Sequence, residues 1–306
     1  MTRRRIVEQA FLEKALAARW EIYAQRFEEF RGKCDGESLR RLRVAIRRLL
    51  SHVEATQRIY RSRHGRRAFQ LLKAQLKQLG PLRDIQMQSC QLESLRKGSP
   101  EAANILKWLQ KRETKKLSRA RRALHKLDQM ELKKELKKAT RKSERFLVQA
   151  ELSPGSRIEK ALQNSFQKVE NRFNGLDPQD VKTIHRLRVA FKHFRYLAEA
   201  LKALTAPRLT AMKRYQSRMG EIQDMEVIMR TLHTFACRKQ KPGSRALGPL
   251  RREIRKRRNT AVSLFWRQRN ELFKFSPAPS AASHKRAGTR RPARKLQANP
   301  RPPSGE

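Results

Sequence analysis

The stretch "IHRLRVAFKHFRYL", residues 184–197, decides how this chain is read. Ile184, Leu187, Phe191, Phe194, Ala198 and Leu201 recur at three- and four-residue intervals, the spacing that lines apolar side chains along one face of an α-helix. One position after the first four of them stand His185, Arg188, Lys192 and Arg195. At 100° per residue these four fall within an arc of roughly 80°, a row about 15 Å long on the shoulder of the helix. No acidic residue occurs in residues 181–198. A solvated helix face ordinarily interleaves Glu or Asp four residues from its cations, gaining a few tenths of a kcal/mol per pair. A basic row without counter-ions of its own suits an anion arriving from outside, and arginine can grip phosphate oxygens with two parallel N–H donors.

The pattern occurs twice. "LRVAIRR" (residues 42–48) matches "LRVAFKH" (187–193), and further on "LGPLRDIQM" (79–87) matches "MGEIQDMEV" (219–227). The second match keeps a glycine, Gly80 or Gly220, and an aspartate four residues later, Asp84 or Asp224. Two motifs in the same order at similar spacing indicate an internal repeat, two related helical halves divided near residues 153–156. In the first half the stripe is Leu39, Leu42, Ile46, Leu49 and Val53, and Arg40, Arg43 and Arg47 occupy the positions of His185, Arg188 and Lys192. Leu50 stands where the second half has Arg195. Lys73 and Lys213 align at the offset of the glycine motif, and Lys77 lies in the same basic stretch before Gly80. These cations are the candidate anion-binding set. Asp84 and Asp224, each after a glycine turn, read as helix caps or as carboxylates that orient a neighbouring arginine.

Composition supports a polyanionic partner. The chain carries 74 Lys+Arg against 28 Asp+Glu, a formal charge of +46 and a pI near 11.5. Such charge repels itself in a compact state; nucleic acid, an anionic membrane surface or polyphosphate could each offset it. Helix formers dominate and strand signals are sparse. Turn signals fall at residues 32–36, 80–81, 98–100, 153–155, 175–178, 207 and 242–243. The expectation is an all-α chain of about eight to ten helices with antiparallel neighbours. From Ser276 to Glu306 the sequence is rich in Pro, Ala, Ser and Arg and reads as a disordered basic tail.

Other classes lack their signatures. No apolar run approaches 18 residues and the N-terminal stretch lacks an apolar core, so neither a membrane span nor a secretory signal is expected. Cys34, Cys90 and Cys237 are far apart and read as reduced thiols in a cytoplasmic protein. His185 and His193 are out of register on their helix, and no Cys/His cluster or His-Glu-x-x-His occurs, so no metal or other cofactor is expected. No P-loop, nucleophile elbow or dinucleotide fingerprint supports an enzymatic reading. Nucleic-acid binding through the same surface and the tail is the alternative, although Phe191 and Phe194 sit on the apolar stripe rather than where bases could stack.

With both motifs located, the sequence resembles the CHAD family, the conserved histidine α-helical domain. "IHRLRVAFKHFRYLAE" (residues 184–199) fits its His-x-Leu-Arg-Val pattern, "LRRLRVAIRRLL" (39–50) the first-half counterpart, and "LGPLRD" (79–84) and "MGEIQD" (219–224) the later elements. The resemblance covers residues 5–275, in halves of about 5–152 and 153–275, and excludes the tail at 276–306. It implies two tandem four-helix bundles related by a pseudo-twofold axis around a basic groove that binds inorganic polyphosphate. On that basis the expectation is non-enzymatic binding of the polymer, directed to polyphosphate granules or regulating access to it. It also implies that His185, Arg188, Lys192 and Arg195, with Arg43 and Arg47, face the polymer. The chain departs from the family at Arg40, where the first-half histidine is replaced, and at Leu50, which shortens that row.

Overall fold

The computed structural model describes residues 3–95, 100–127, 129–148, 154–201, 203, 205–239 and 247–277. Contacts separate Met1–Ser276 from Pro277–Glu306. The tail expected from Ser276 therefore lies almost wholly outside the described residues, as do the turns expected at 98–99 and 242–243.

The described residues form nine α-helices and no strand: α1 (Arg3–Lys33), α2 (Gly36–Ile59), α3 (Arg63–Ser94), α4 (Pro100–His125), α5 (Gln129–Val148), α6 (Pro154–Asn174), α7 (Val181–Ala200), α8 (Ala206–Lys239) and α9 (Gly248–Gln268). A 3₁₀ turn, Arg269–Phe275, follows α9. The two motif helices start on aspartates. Asp35 accepts from the Ser38 backbone N–H at 2.6 Å, while the Ser38 hydroxyl accepts from the Asp35 N–H at 3.2 Å, a reciprocal cap on α2. Asp180 accepts from the Lys182 N–H at 2.9 Å at the start of α7. Only Cys34 and Asp35 separate α1 from α2, and Cys34 makes the reversal in the left-handed region at φ 51°.

The glycine motifs lie within helices, not at turns. α3 runs unbroken through Gly80 and Pro81, and α8 through Gly220, so Asp84 and Asp224 sit mid-helix and cap nothing. Tertiary burial overrides the local turn signal: Leu72, Leu79, Leu82 and Ile85 are all buried along one face of α3 across the proline. The capping role expected for the two aspartates is corrected accordingly; Asp35 and Asp180 perform it.

Packing places the two repeats against each other. α2 contacts α3 and α7, α8 contacts α7 and α3, and these four helices form a closed ring of neighbours. One core gathers Phe191, Phe194, Phe166, Tyr215 and Phe275 around α7, and another gathers Tyr23, Phe27, Leu42, Ile46 and Leu72 around α2. A third joins both halves: Ile85, Leu92, Ile105 and Leu109 pack with Ile228, Leu232, Leu250 and Ile254. The halves are thus not two separate cores joined by a linker.

Candidate anion-binding cleft

The ring of α2, α3, α7 and α8 encloses a cleft of about 730 Å³. α2 contributes Arg43 and Arg47; α7 contributes His185, Arg188, Lys192 and Tyr196. From α3 come Arg83, Asp84 and Gln91, from α8 Gln216, Gln223, Asp224 and Arg230, and from α4 Arg112. Seven Arg and Lys side chains thus converge on one space with two carboxylates.

Helix geometry explains which members of the basic rows reach it. Measured around the helix from Ile184, Arg195 lies at about 20°, Arg188 at 40°, Lys192 at 80° and His185 at 100°. Arg195 is nearest the core side, and it is the one turned inward. It is 5% exposed, its Nε donates to Gln216 at 3.0 Å, one terminal N–H donates to Glu199 at 3.1 Å, and its guanidinium lies 4.2 Å from the centre of the Tyr196 ring. Leu50, at the same angle on α2, packs partly buried against the first-half core. The two positions share an environment even though one is charged and the other apolar.

Arg43 is anchored differently. It is 8% exposed and donates to the Leu76 carbonyl at 3.2 Å, in the turn of α3 just before Pro81. A helix carbonyl oxygen has two lone pairs, so the Leu76 carbonyl can accept from Arg43 in addition to a ladder N–H.

The remaining expected cations lie elsewhere. Arg40 is exposed and bonds Glu37 through two N–H groups at 2.7 Å each, lining a separate pocket of about 320 Å³ with Arg19, Arg41 and Arg48 instead. Lys73, Lys77 and Lys213 are exposed and do not line the cleft. The acid-free interior of each motif helix is flanked by acids at its ends, and Glu37 and Glu199 draw Arg40 and Arg195 to themselves. Arg83 and Arg230 were not singled out in the sequence. On an unbroken α8, Gln216, Gln223, Asp224, Val227, Thr231 and Thr234 recur at helical spacing toward the cleft, with Arg230 on the same side. Reading Gly220 as a turn concealed that face.

The electrostatics are those of crowded, half-desolvated cations. Burial first, and Arg47 next, lower the Arg43 guanidinium to about 10. Burial, followed by Arg47, Arg188, Arg43 and Arg195, brings the Lys192 ammonium down to about 7. Burial and Arg188 push His185 below its ordinary value, so its imidazole is neutral near pH 7. Arg188 is lowered by burial, against which the charge of Asp224 acts, and its Nε is buried with no hydrogen-bond partner. Asp224 itself is raised by burial, with Arg188 and a hydrogen bond from Gln91 opposing. The cations of the cleft thus disfavour one another's charge, which an incoming polyanion would relieve, whereas the same polyanion would push Asp224 further toward its neutral form. Among the described residues no group of His, Cys, Asp and Glu could hold a metal ion, and no helix is long and apolar enough to cross a membrane.

A family model for the CHAD domain matches residues 14–233. Among solved structures the chain is similar to the CHAD domain from the plant Ricinus communis, with 19% identity and a TM-score of 0.59, covering 86% of this chain and 89% of that one. It is also similar to PptA from Streptomyces chartreusis, with 15% identity and a TM-score of 0.61, covering 87% of this chain and 99% of that one. At these identities the likeness is one of fold. No curated protein matches the chain significantly by sequence. The family match spans most of the chain, including both basic motif helices and the cleft they line: the protein belongs to the CHAD domain family.

Proposed function

We propose that the protein binds inorganic polyphosphate in the cleft, without a catalytic step, and so places itself on the polymer or limits access to it. The observation that carries this reading is the convergence of Arg43, Arg47, Arg83, Arg112, Arg188, Lys192 and Arg230 on one space with only Asp84 and Asp224 as acids. A flexible chain with one negative charge per phosphate fits such a lining, and guanidinium groups take its oxygens two at a time. The unpartnered Nε of Arg188 is one donor ready for it. Asp224 beside Arg188 and Asp84 near Arg43 act on those guanidiniums rather than on the ligand.

Nucleic acid suits the cleft less well. Tyr196 is the aromatic residue of its lining, and the Arg195 guanidinium already covers one face of that ring. Single-strand binders stack bases on open rings.

The test compares two triple variants of the full chain by titration with long-chain polyphosphate. R47Q/R188Q/K192Q removes three basic side chains from the cleft; K73Q/K77Q/K213Q removes three from the exposed surface, and so at least as much net charge. At about 1.5–3 kcal/mol per charge-assisted contact, the first should lose at least about 100-fold in affinity. The second should lose only the few-fold expected of general charge. Equal losses would show that the cleft is not the site.

A further inference from the structure

Lys192 differs from the other cations of the cleft, because it alone among them carries an amine that can act as a nucleophile. It shares the cleft lining with Arg43 and Arg47 of α2 and Arg188 of its own helix, and the charges of these three and of Arg195 bear on it. No ion pair or hydrogen bond holds its Nζ among those found in the described residues. It is half-buried yet open to the cleft, so a small molecule can reach it.

We propose that Lys192 is an acylation site, at which small acyl phosphates drawn into the cleft transfer their acyl group to the amine and thereby weaken the cleft's hold on polyphosphate. This rests on the cleft being an anion site, because the same arginines that take polyphosphate would hold the phosphate half of the donor. The Nζ lone pair attacks the carbonyl carbon and forms the C–N bond, and the C–O bond to phosphate breaks. The amine proton leaves with the phosphate as hydrogen phosphate. No oxidant or further reactant is needed. Flanking guanidiniums stabilise the charge that develops on the leaving phosphate. The product is an uncharged amide that cannot take up the proton a bound polyanion would restore to the amine, and its side chain becomes bulkier.

The surroundings of Lys192 favour the reaction at neutral pH. With its ammonium lowered to about 7, most of the amine is free at pH 7.5, against about 0.1% for an ordinary lysine. Lower basicity also makes an amine less reactive; by analogy with the Brønsted slope of about 0.4–0.5 for thiols, the net advantage is still about ten-fold.

The experiment treats the folded full chain with acetyl phosphate at pH 7.5 and follows acetylation lysine by lysine by mass spectrometry, with and without long-chain polyphosphate. Binding of polyphosphate to the untreated chain and to K192Q and K192R is measured beside it. Lys192 should be acetylated about ten-fold faster than exposed Lys73, Lys77 and Lys213, and polyphosphate should protect Lys192 alone. K192Q, the acetyl mimic, should bind polyphosphate at least several-fold more weakly than K192R. If Lys192 reacts no faster than the exposed lysines while polyphosphate still binds, the acylation proposal is overturned and the binding reading stands. If Lys192 reacts fast but polyphosphate neither protects it nor distinguishes K192Q from K192R, the cleft is not the polyphosphate site and the proposed consequence of acylation falls with it.

Discussion

At the scale of the residue, the proposed binding draws on cations that crowd and oppose one another in the cleft. Lys192 loses its proton near pH 7 in the free protein because burial and Arg47, Arg188, Arg43 and Arg195 oppose its charge. A bound phosphate restores that charge, so the complex holds more protons than the free chain, and affinity must fall as pH rises above about 7. His185, lowered, and Asp224, raised, add the same sign, since a polyanion raises both. We expect net proton uptake on polyphosphate binding, read by calorimetry in two buffers of different ionisation enthalpy. The loss of affinity with pH should approach tenfold per unit for one linked proton. K192R, which does not titrate, should flatten the profile above pH 7; an unchanged profile would exclude Lys192 as the linked group. Arg195 teaches the opposite lesson. The sequence places it in the binding row, but its angle brings it to the core edge, where Glu199 and Gln216 hold it. R195M leaves Glu199 its second partner, Arg48 at 3.3 Å, and should cost about 1.5–3 kcal/mol of stability, shifting the urea midpoint more than R188Q does. R188Q should do the reverse, reducing affinity more than stability. The row was legible in the sequence; which of its members turns inward depends on acids at the helix ends that the acid-free interior did not reveal.

At the scale of the element, the capping signals were present but assigned to the wrong aspartates. Asp35 and Asp180 each stand seven residues before the leucine of the Leu-Arg-Val motif, at the same point of the repeat, and each starts its helix. D35A and D180A should each lower stability by about 1 kcal/mol in urea unfolding. D84A and D224A should instead change polyphosphate affinity, since their carboxylates act on Arg43 and Arg188. Gly80 is the clearest case of a turn signal overridden by packing. A Cβ built on it would meet nothing within 4 Å, and it lies inside α3. G80A should stabilise the chain by about 0.5–1 kcal/mol and leave binding unchanged, because alanine costs less order than glycine in a helix interior. A destabilised G80A would show that the local conformation departs from a helix after all. Local chemistry alone favours a turn at Gly80-Pro81; only the apolar spacing on both sides shows that the helix continues.

At the scale of the whole molecule, the repeat and the all-helical class were readable from spacing and composition, whereas the third core was not. Nothing local announces that Ile85, Leu92 and Leu109 will meet Ile228, Leu232 and Ile254, because those contacts join segments far apart in the chain. The consequence is testable: residues 1–152 expressed alone should lack a cooperative unfolding transition or self-associate through that exposed apolar face. A monomeric fragment with a sharp transition would show that each half suffices for its own fold. The same long-range assembly closes the ring of α2, α3, α8 and α7 and brings seven cations to one cleft, which a row on a single helix could not do. With a formal charge of +46 the chain will attract any polyanion at low salt, so weak binding alone decides little. The most direct measurement is competition at physiological salt between long-chain polyphosphate and duplex DNA, supplied at equal phosphate concentration to the full chain. Polyphosphate, able to enter the cleft, should displace the duplex nearly completely; a duplex that holds its share against the polymer would contradict the proposed function.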